Sequence, residues 1–167
     1  MAIPIAQAHS FSDSNVSAKE TSDDDPVVVV SEPEETSNST PKVKLTDSEK
    51  NILLKIAMAE AEGEPLEGKA LVMNVVLNRI QSHDFPDSVE EVVFQTINGV
   101  YQFSPVEEDG RYWTTMPNWD CYRALNMITD GWDESRGALY FEACTGETWQ
   151  AENCEYLFEV GNHRFYR

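Results

Sequence analysis

The sequence predicts an α+β domain, mostly helical, that ends in a small antiparallel sheet. Two long stretches, 47–61 and 66–82, carry apolar residues at helical spacing and are separated by a glycine and a proline, which stop helices. Two short apolar runs follow much later, at 138–141 and 156–160, and each has the length and aromatic content of a strand. Helices first and strands last are typical of the α+β class.

The composition allows one compact domain preceded by a flexible segment. The chain has 167 residues, of which 41% are hydrophobic, and this is enough for one core. Residues 1–44 are rich in Ser, Thr, Asp, Glu and Pro, with Phe11 as their sole aromatic residue, so they bury too little apolar surface to offset the entropy cost of ordering. We therefore expect a disordered acidic linker or tether at 1–44 and a folded domain at 45–167.

Charge and hydropathy exclude two classes of partner. The 30 acidic and 12 basic residues give a net charge of -18, and the sequence has no basic stripe, so nucleic-acid binding is not expected. No run approaches the roughly 18 apolar residues of a membrane span. We expect a monomer that neither binds nucleic acid nor crosses a membrane.

The cysteines and the first residues bear on the compartment. A Cys144–Cys154 disulfide across a loop would need an oxidising compartment and would leave Cys121 as a buried thiol; the alternative is that the bridge is absent. The cysteine spacing matches no zinc pattern, and we expect no metal or cofactor. The small-x-small run at 6–8 is similar to the end of a secretory signal, but a basic n-region and a full apolar h-region are missing, and an ordinary disordered start explains it equally well.

The first helix, 47–61, begins at a capping box formed by Thr46 and Glu49 and places one carboxylate on its apolar face. Glu60 follows apolar residues by three, four and seven positions, which is one face of a 3.6-residue period. A carboxylic acid drawn partly out of water has a raised pKa, the property that a general acid needs near neutral pH. The alternative is that Glu60, in the last turn of the helix, is a solvated surface residue.

The second helix, 66–82, is apolar around much of its circumference, which predicts a position central to the core. Pro65 is tolerated in its first turn. Asn74 and Asn78 are its polar exceptions. Because buried amides need partners, these two side chains either cap a neighbouring loop or face a cleft, and the structural role is the one we favour.

The remaining segments are shorter. They are a third helix over 89–97 capped by Ser88, an aromatic loop at 101–105, a loop at 106–118, a fourth helix over 119–129 and a polar loop at 144–153 between the two strands.

Aromatic and amide side chains concentrate after the third helix, in a mixture typical of sugar-binding sites. They are Tyr101, Gln102, Phe103, Trp113, Tyr140, Trp149, His163 and Tyr166. Sugar ring faces stack on aromatic rings, while hydroxyl and N-acetyl groups need amide and phenol partners. Glycosidic cleavage also needs a proton delivered to the leaving oxygen, and Glu60 is the candidate donor. The alternative for each aromatic residue is packing in the core.

Seven motifs, in the same order, resemble those of the cell-wall hydrolase family typified by the spore-cortex-lytic enzyme SleB. They are AEAEGEP at 59–65, EGKALVMNVVLNRI at 67–80, FP at 85–86, YQFSPV at 101–106, GALYF at 137–141, the lone Trp149 and GNHRFY at 161–166. These motifs cover nearly all of the predicted domain, and seven ordered motifs are far more specific than a short acidic motif alone.

The resemblance implies a lysozyme-like domain that acts on peptidoglycan glycan strands. The family is thought to act as lytic transglycosylases, which cut between N-acetylmuramic acid and N-acetylglucosamine. The first glutamate of its acidic motif is the catalytic acid/base, and that position is Glu60 here. One glutamate suffices because the sugar's own 6-hydroxyl closes a 1,6-anhydro ring, so the reaction needs no metal and no second carboxylate.

The resemblance also implies substrate-binding residues. By their place in the family's motif, Gln102 and Phe103 line the cleft, and Tyr140 and Trp149 are the next candidates. Two further candidates lie in shared motifs. They are Glu64, which alternatively orients Glu60 or closes its loop, and His163, for which we favour a structural hydrogen bond.

The sequence is compatible with more than one wall setting and more than one type of activity. The resemblance and the signal-like run favour a secreted or wall-bound bacterial protein. The typical spore enzyme carries an N-terminal peptidoglycan-binding module where this chain has the predicted linker, so general wall remodelling fits as well as a cortex-specific role. The alternatives are a plain muramidase, a zinc-dependent N-acetylmuramoyl-L-alanine amidase, for which only His83 and His163 are available outside the linker, and a wall-binding module without turnover.

Overall fold

The computed structural model describes residues 43–145 and 148–167. The signal-like run at 6–8 and all but the end of the predicted linker lie outside this part of the chain, so the division into linker and domain stays a prediction. The helices are α1 (Asp47–Ala61), α2 (Leu66–Gln81), α3 (Val89–Val93), α4 (Arg111–Thr114), α5 (Trp119–Thr129) and α6 (Trp149–Asn153), with a 3-10 turn at Ser104–Val106. The strands are β1 (Thr96–Ile97), β2 (Val100–Tyr101), β3 (Tyr140–Ala143), β4 (Tyr156–Val160) and β5 (His163–Tyr166). This architecture confirms the predicted α+β class.

Helix α2 is the centre of the core. It packs against both α1 and α5, and every residue from 68 to 77 is buried. Helix α1 starts at the predicted capping box: the Thr46 side chain accepts from the Glu49 amide, and the Glu49 carboxylate accepts from the Thr46 amide. Among the described residues, no helix has both the length and the apolar character needed to cross a bilayer.

The two amides of α2 hold the turn that leads from α5 into β3. Asn74 Nδ2 donates to Asp133 Oδ1 at 3.3 Å. Asn78 Nδ2 donates to the Ser135 hydroxyl at 2.8 Å and to the Ala138 carbonyl at 2.9 Å. Both side chains therefore have the structural role that the sequence favoured.

Strands β3, β5 and β4 form an antiparallel sheet in that order, with β5 in the middle. Sequence reasoning predicted the two outer strands and missed the central one. Strand β3 begins two residues later than predicted, because Ala138 still belongs to a turn in which its amide donates to the Ser135 carbonyl. In β5, His163, Phe165 and Tyr166 are all buried, so this strand lacks the simple alternation that identifies a half-exposed strand.

In three segments the structure contains short elements that the sequence did not predict. The third helix ends at Val93 and not at 97, because Thr96 and Ile97 form β1 and pair with β2. The tight turn between these strands is made by Asn98 and Gly99, which adopt positive φ (53° and 81°). The predicted loop at 106–118 contains α4, and the predicted polar loop at 144–153 contains α6.

All three cysteines are free thiols, and the sheet explains why the possible Cys144–Cys154 bridge is absent. Cys144 lies beside one end of β5, where its amide donates to the Asn162 carbonyl, and Cys154 precedes Glu155, which pairs with Arg167 beyond the other end. Five residues of extended chain separate these ends by about 17 Å. A disulfide requires Cα atoms within about 7 Å.

Candidate functional site

A cleft of about 320 Å³ lies where the end of α1 meets α2, the segment after β2, and β3. Its lining is rich in polar and aromatic side chains. The lining residues are Glu60, Arg79, Tyr101, Gln102, Ser104, Tyr140, Phe141, Glu142, Ala143, Gln150 and His163. Hydroxyls, amides and aromatic rings around two carboxyl groups suit a ligand that is polar at its edges and apolar on its faces.

Glu60 is half-buried at the C-terminal end of the buried face of α1. Leu53 and Ile56, which precede it on that face, are wholly buried. Burial raises the pKa of Glu60 from its ordinary value of 4.5 to about 7, although the positive charges of Arg111 and Arg79 act to lower it. Near neutral pH this carboxyl group can therefore either give or take a proton.

Arg79 is a cleft residue that sequence reasoning missed. Its side chain is 4% exposed, and its Nε donates to the Leu139 carbonyl at 2.8 Å. The guanidinium lies 4.9 Å from the Phe103 ring centroid and 5.5 Å from that of Tyr140. Burial lowers its pKa to about 10, so it remains charged at neutral pH. The signal in the sequence was a lone arginine in a helix that is otherwise apolar almost all round.

The turn that follows Glu60 is held by a buried lysine. Lys69 is 1% exposed, and its ammonium donates to the carbonyls of Glu62 (3.0 Å) and Glu64 (2.6 Å). Glu62 is the C-cap residue of α1, whose carbonyl has no intrahelical partner, and Glu64 lies in the turn that follows. On the exposed side of the same turn, Arg111 forms an ion pair with the Glu62 carboxylate. The end of α1, and with it Glu60, is fixed from both sides.

Glu64 lies outside the cleft lining, in the turn between α1 and α2, and bonds this turn to Asn162. Its carboxylate accepts from the Asn162 amide at 2.9 Å and from Asn162 Nδ2 at 3.3 Å. These bonds join the α1–α2 turn to the β4–β5 turn. Of the three roles considered for Glu64, the contacts favour closing the loop, as a clamp between turns, over orienting Glu60 or binding substrate directly.

The structure brings three of the predicted substrate-binding residues into the cleft. Gln102, Tyr140 and His163 all line it. His163 is 6% exposed, and burial lowers its pKa, so it is neutral at pH 7. Within the described part of the chain, its Nδ1 has no hydrogen-bond partner, so the structural bond that we favoured for it is not formed from that atom.

Two of the predicted substrate-binding residues, Phe103 and Trp149, are not in the cleft lining. Phe103 is 1% exposed, and its ring lies 6.1 Å from Phe141, so it supports the lining from the core instead of forming it. Trp149 is 60% exposed at the rim, with its ring centroid 6.2 Å from that of Tyr140. The next residue, Gln150, lines the cleft.

Glu142 is a second carboxylate in the lining that sequence reasoning did not identify. One of its oxygens accepts from the Tyr166 hydroxyl at 2.6 Å, and the other accepts from the Thr148 hydroxyl. Burial, followed by the bond to Glu142, raises the pKa of Tyr166 to about 12, so the phenol remains a donor. Among residues 43–145 and 148–167, no group of three or more His, Cys, Asp and Glu side chains is arranged to hold a metal ion.

Sequence comparisons relate the chain to enzymes of the bacterial wall. A sequence profile described as Cell Wall Hydrolase matches residues 63–166, a range that begins just after Glu60. The spore cortex-lytic enzyme of Oceanobacillus iheyensis is 32% identical over 139 residues, covering 78% of this chain and 47% of that protein. The Bacillus subtilis spore cortex-lytic enzyme is 36% identical over 90 residues, covering 54% and 28% respectively. This chain thus spans less than half the length of these curated relatives.

Two solved structures share the fold. The catalytic domain of the germination-specific lytic transglycosylase SleB from Bacillus anthracis has a TM-score of 0.63 and 27% identity, covering 74% of this chain and 97% of that domain. The catalytic domain of the Bacillus cereus SleB protein has a TM-score of 0.62 and 26% identity, covering 74% and 93%. The alignment therefore covers nearly the whole of each solved domain.

Proposed function

This chain belongs to the cell wall hydrolase family, and we propose that it cleaves peptidoglycan glycan strands as a lytic transglycosylase with Glu60 as its acid and base. The observation that carries the proposal is a half-buried carboxyl group with a pKa of about 7 in a polar and aromatic cleft. The likeness to a SleB domain described as a lytic transglycosylase supports the same reaction type.

In the first step Glu60 acts as an acid. Its protonated carboxyl gives a proton to the oxygen that links C1 of N-acetylmuramic acid to C4 of N-acetylglucosamine. The C1–O bond then breaks, the N-acetylglucosamine end leaves as an alcohol, and positive charge develops at C1 and the ring oxygen. The carboxylate formed in this step helps to stabilise that charge.

In the second step the same carboxylate acts as a base. It takes the proton from the 6-hydroxyl of the N-acetylmuramic acid, whose oxygen bonds to C1 and closes a 1,6-anhydro ring. Glu60 ends protonated, as it began, and no water is consumed. Because one group must give and then regain a proton, a pKa near the working pH serves both steps.

The other cleft residues fit substrate binding. Tyr140 and Trp149 offer aromatic surface for sugar ring faces, and Gln102 offers an amide to hydroxyl or N-acetyl groups. The protein has a net charge of -18, so attraction between opposite charges does not bring it to an anionic wall polymer. Stacking and hydrogen bonds would supply the affinity.

We further propose that the protein works outside the cytoplasm, at the cell wall, as a monomer. The curated relatives are named for the spore cortex, but they are longer than this chain. The form of peptidoglycan that the protein degrades would distinguish a role in the cortex from a role in the vegetative wall. Digestion of purified cortex and of vegetative sacculi in parallel would separate these two settings.

The test of the reaction is product analysis with a Glu60→Gln variant. We expect wild-type protein to release fragments with anhydro-muramic ends, and Glu60→Gln to lose at least about 100-fold in rate while still sedimenting with sacculi. Glu67→Gln, which removes the same charge from an exposed position on α2, is the matched control and should retain activity.

The products also decide between the alternatives. Reducing muramic ends would mean hydrolysis by a muramidase, and free stem peptides would mean an amidase. An unchanged digestion rate in Glu60→Gln would remove Glu60 from the mechanism. Sedimentation with sacculi without any fragment release from the wild-type protein would indicate a wall-binding module.

A further inference from the structure

The carboxylate of Glu142 faces the cleft, but both of its oxygens are already engaged. Oε1 accepts from the Tyr166 hydroxyl at 2.6 Å, and Oε2 accepts from the hydroxyl of Thr148. Tyr166 is buried on the central strand β5, whereas Thr148 directly precedes α6. Glu142 therefore connects the core of the sheet to the segment that carries α6.

Thr148 has a second role in the same place. Its hydroxyl oxygen accepts from the Ala151 amide at 3.3 Å and so caps the N-terminus of α6. One hydroxyl thus starts the helix and binds it to Glu142. The bond to Glu142 sets where α6 begins relative to β3.

Among the described residues, helix α6 buries little of its own surface. It is five residues long, and each of its residues is at least partly exposed, so burial of apolar surface contributes little to its position. Yet α6 presents two residues to the site: Gln150 lines the cleft, and Trp149 stands at its rim, 6.2 Å from the Tyr140 ring. The two ring planes are inclined at 65° to each other, so they form a corner.

We propose that Glu142 is a positioning residue for substrate binding, which fastens α6 to β3 so that Trp149 and Tyr140 together form an aromatic corner for one sugar ring of the glycan. This inference rests on the proposed function, because it takes the ligand to be a glycan strand. Glu142 leaves the proton transfers to Glu60, since each of its oxygens already accepts from a hydroxyl donor. Glu142 acts through Trp149, so removal of its side chain should weaken the binding of glycan.

The test compares Glu142→Ala with Glu152→Ala on soluble, uncross-linked glycan strands. We expect Glu142→Ala to raise KM about tenfold with kcat changed less than about twofold, because the corner is lost while Glu60 is intact. Glu152→Ala removes the same charge from an exposed position of α6 and should match the wild-type protein. Thr148→Val, which removes the hydroxyl at nearly constant shape, should reproduce the Glu142→Ala effect, and Thr148→Ser should restore wild-type KM.

A double-mutant cycle separates positioning from general damage. If Glu142 acts through Trp149, then Glu142→Ala combined with Trp149→Ala should raise KM no more than Trp149→Ala does alone. Additive effects would overturn the proposal, as would an unchanged KM in Glu142→Ala. A loss of kcat at constant KM would also overturn it and would assign Glu142 to the chemistry.

The same variants are also made in the Glu60→Gln protein, so that this inference can be tested separately from the proposed reaction. Equilibrium binding of the glycan strands, measured by calorimetry, needs no turnover. Weaker binding in the Glu142→Ala variant would support the corner even if the products proved to be those of a muramidase. Equal binding would reject it even if anhydro-muramic ends were found.

Discussion

Glu60 is placed between two opposing electrostatic effects. Burial favours its neutral form, while Arg111 and Arg79 favour its charged form, and the balance leaves the pKa at about 7. As an acid, Glu60 must begin the reaction protonated. The rate of glycan cleavage at low substrate should therefore fall as the pH rises through about 7.

Arg111 allows this balance to be tested, because it is exposed and lies outside the cleft lining. Removing its positive charge in Arg111→Gln should raise the pKa of Glu60 further, so the falling limb of kcat/KM against pH should move to higher pH. The activity on the acidic plateau should change by less than about threefold. Arg123→Gln, which makes the same charge change at an exposed ion pair on α5, is the control. A limb that stayed in place or moved to lower pH would show that Arg111 does not act on Glu60.

For individual side chains, the helical period of the sequence predicted burial at some positions but not the roles of others. The spacing of Glu60 behind apolar residues predicted its partial burial, and that is how it lies. Periodicity could not identify Glu142, because its role depends on Tyr166 and Thr148, which reach it from other parts of the fold. Nor could it show that Phe103 is buried while its neighbour Gln102 lines the cleft.

The α1–α2 turn and the β4–β5 turn are in close contact with each other. Gly161 has a φ of +60°, and a Cβ there would lie 1.9 Å from Glu64 Oε2 and 2.9 Å from Pro65 Cδ. Gly63, in the other turn, has open space where its Cβ would be. The close approach at Gly161 is what allows Glu64 to bond Asn162.

We expect Gly161→Ala to lower the free energy of unfolding by about 1–3 kcal/mol, because it adds backbone strain and displaces the Glu64 carboxylate. Gly63→Ala should change it by less than about 0.5 kcal/mol. Urea unfolding of the two variants measures the difference. Equal values would show that the turns are not in contact as described.

Long helices were predictable, whereas several short elements were not. Helices α1 and α5 have the predicted bounds, since each carries a clear period or cap of its own, and the five-residue strand β4 has the bounds predicted from its apolar and aromatic run. The hairpin of β1 and β2, together with α4 and α6, has two to five residues per element, and such pieces are set by contacts with the rest of the fold. The Asn98-Gly99 pair is a local signal typical of a hairpin turn, and it marks the turn between β1 and β2.

The excess of acidic residues affects how the protein approaches its substrate. A net charge of -18 repels anionic wall polymers, and the repulsion weakens as the Debye length shortens from about 30 Å at 0.01 M salt to about 8 Å at 0.15 M. Binding of Glu60→Gln protein to sacculi should therefore increase over this range. Binding to uncharged chitin oligomers should not change. A decrease for sacculi would indicate a basic recognition surface.

The fold class and the family followed from the sequence because both depend on extended patterns. Two helical periods and late strand-like runs predicted the architecture, and seven ordered motifs indicated the family that the profile match supports. The central strand β5 lay within one of those motifs, but its pairing with both neighbours depends on residues far apart in sequence.

The positions of the three thiols make α6 accessible to spectroscopy. Cys144 and Cys154 are half-buried and flank this helix, while Cys121 is sealed in the core with its sulfur 3.8 Å from that of Met58. A pair of nitroxide spin labels can thus be attached on either side of α6 without adding a cysteine, and the Cys121 thiol stays shielded in the native fold. The distance between the labels would report directly whether this part of the chain shifts when a glycan arrives.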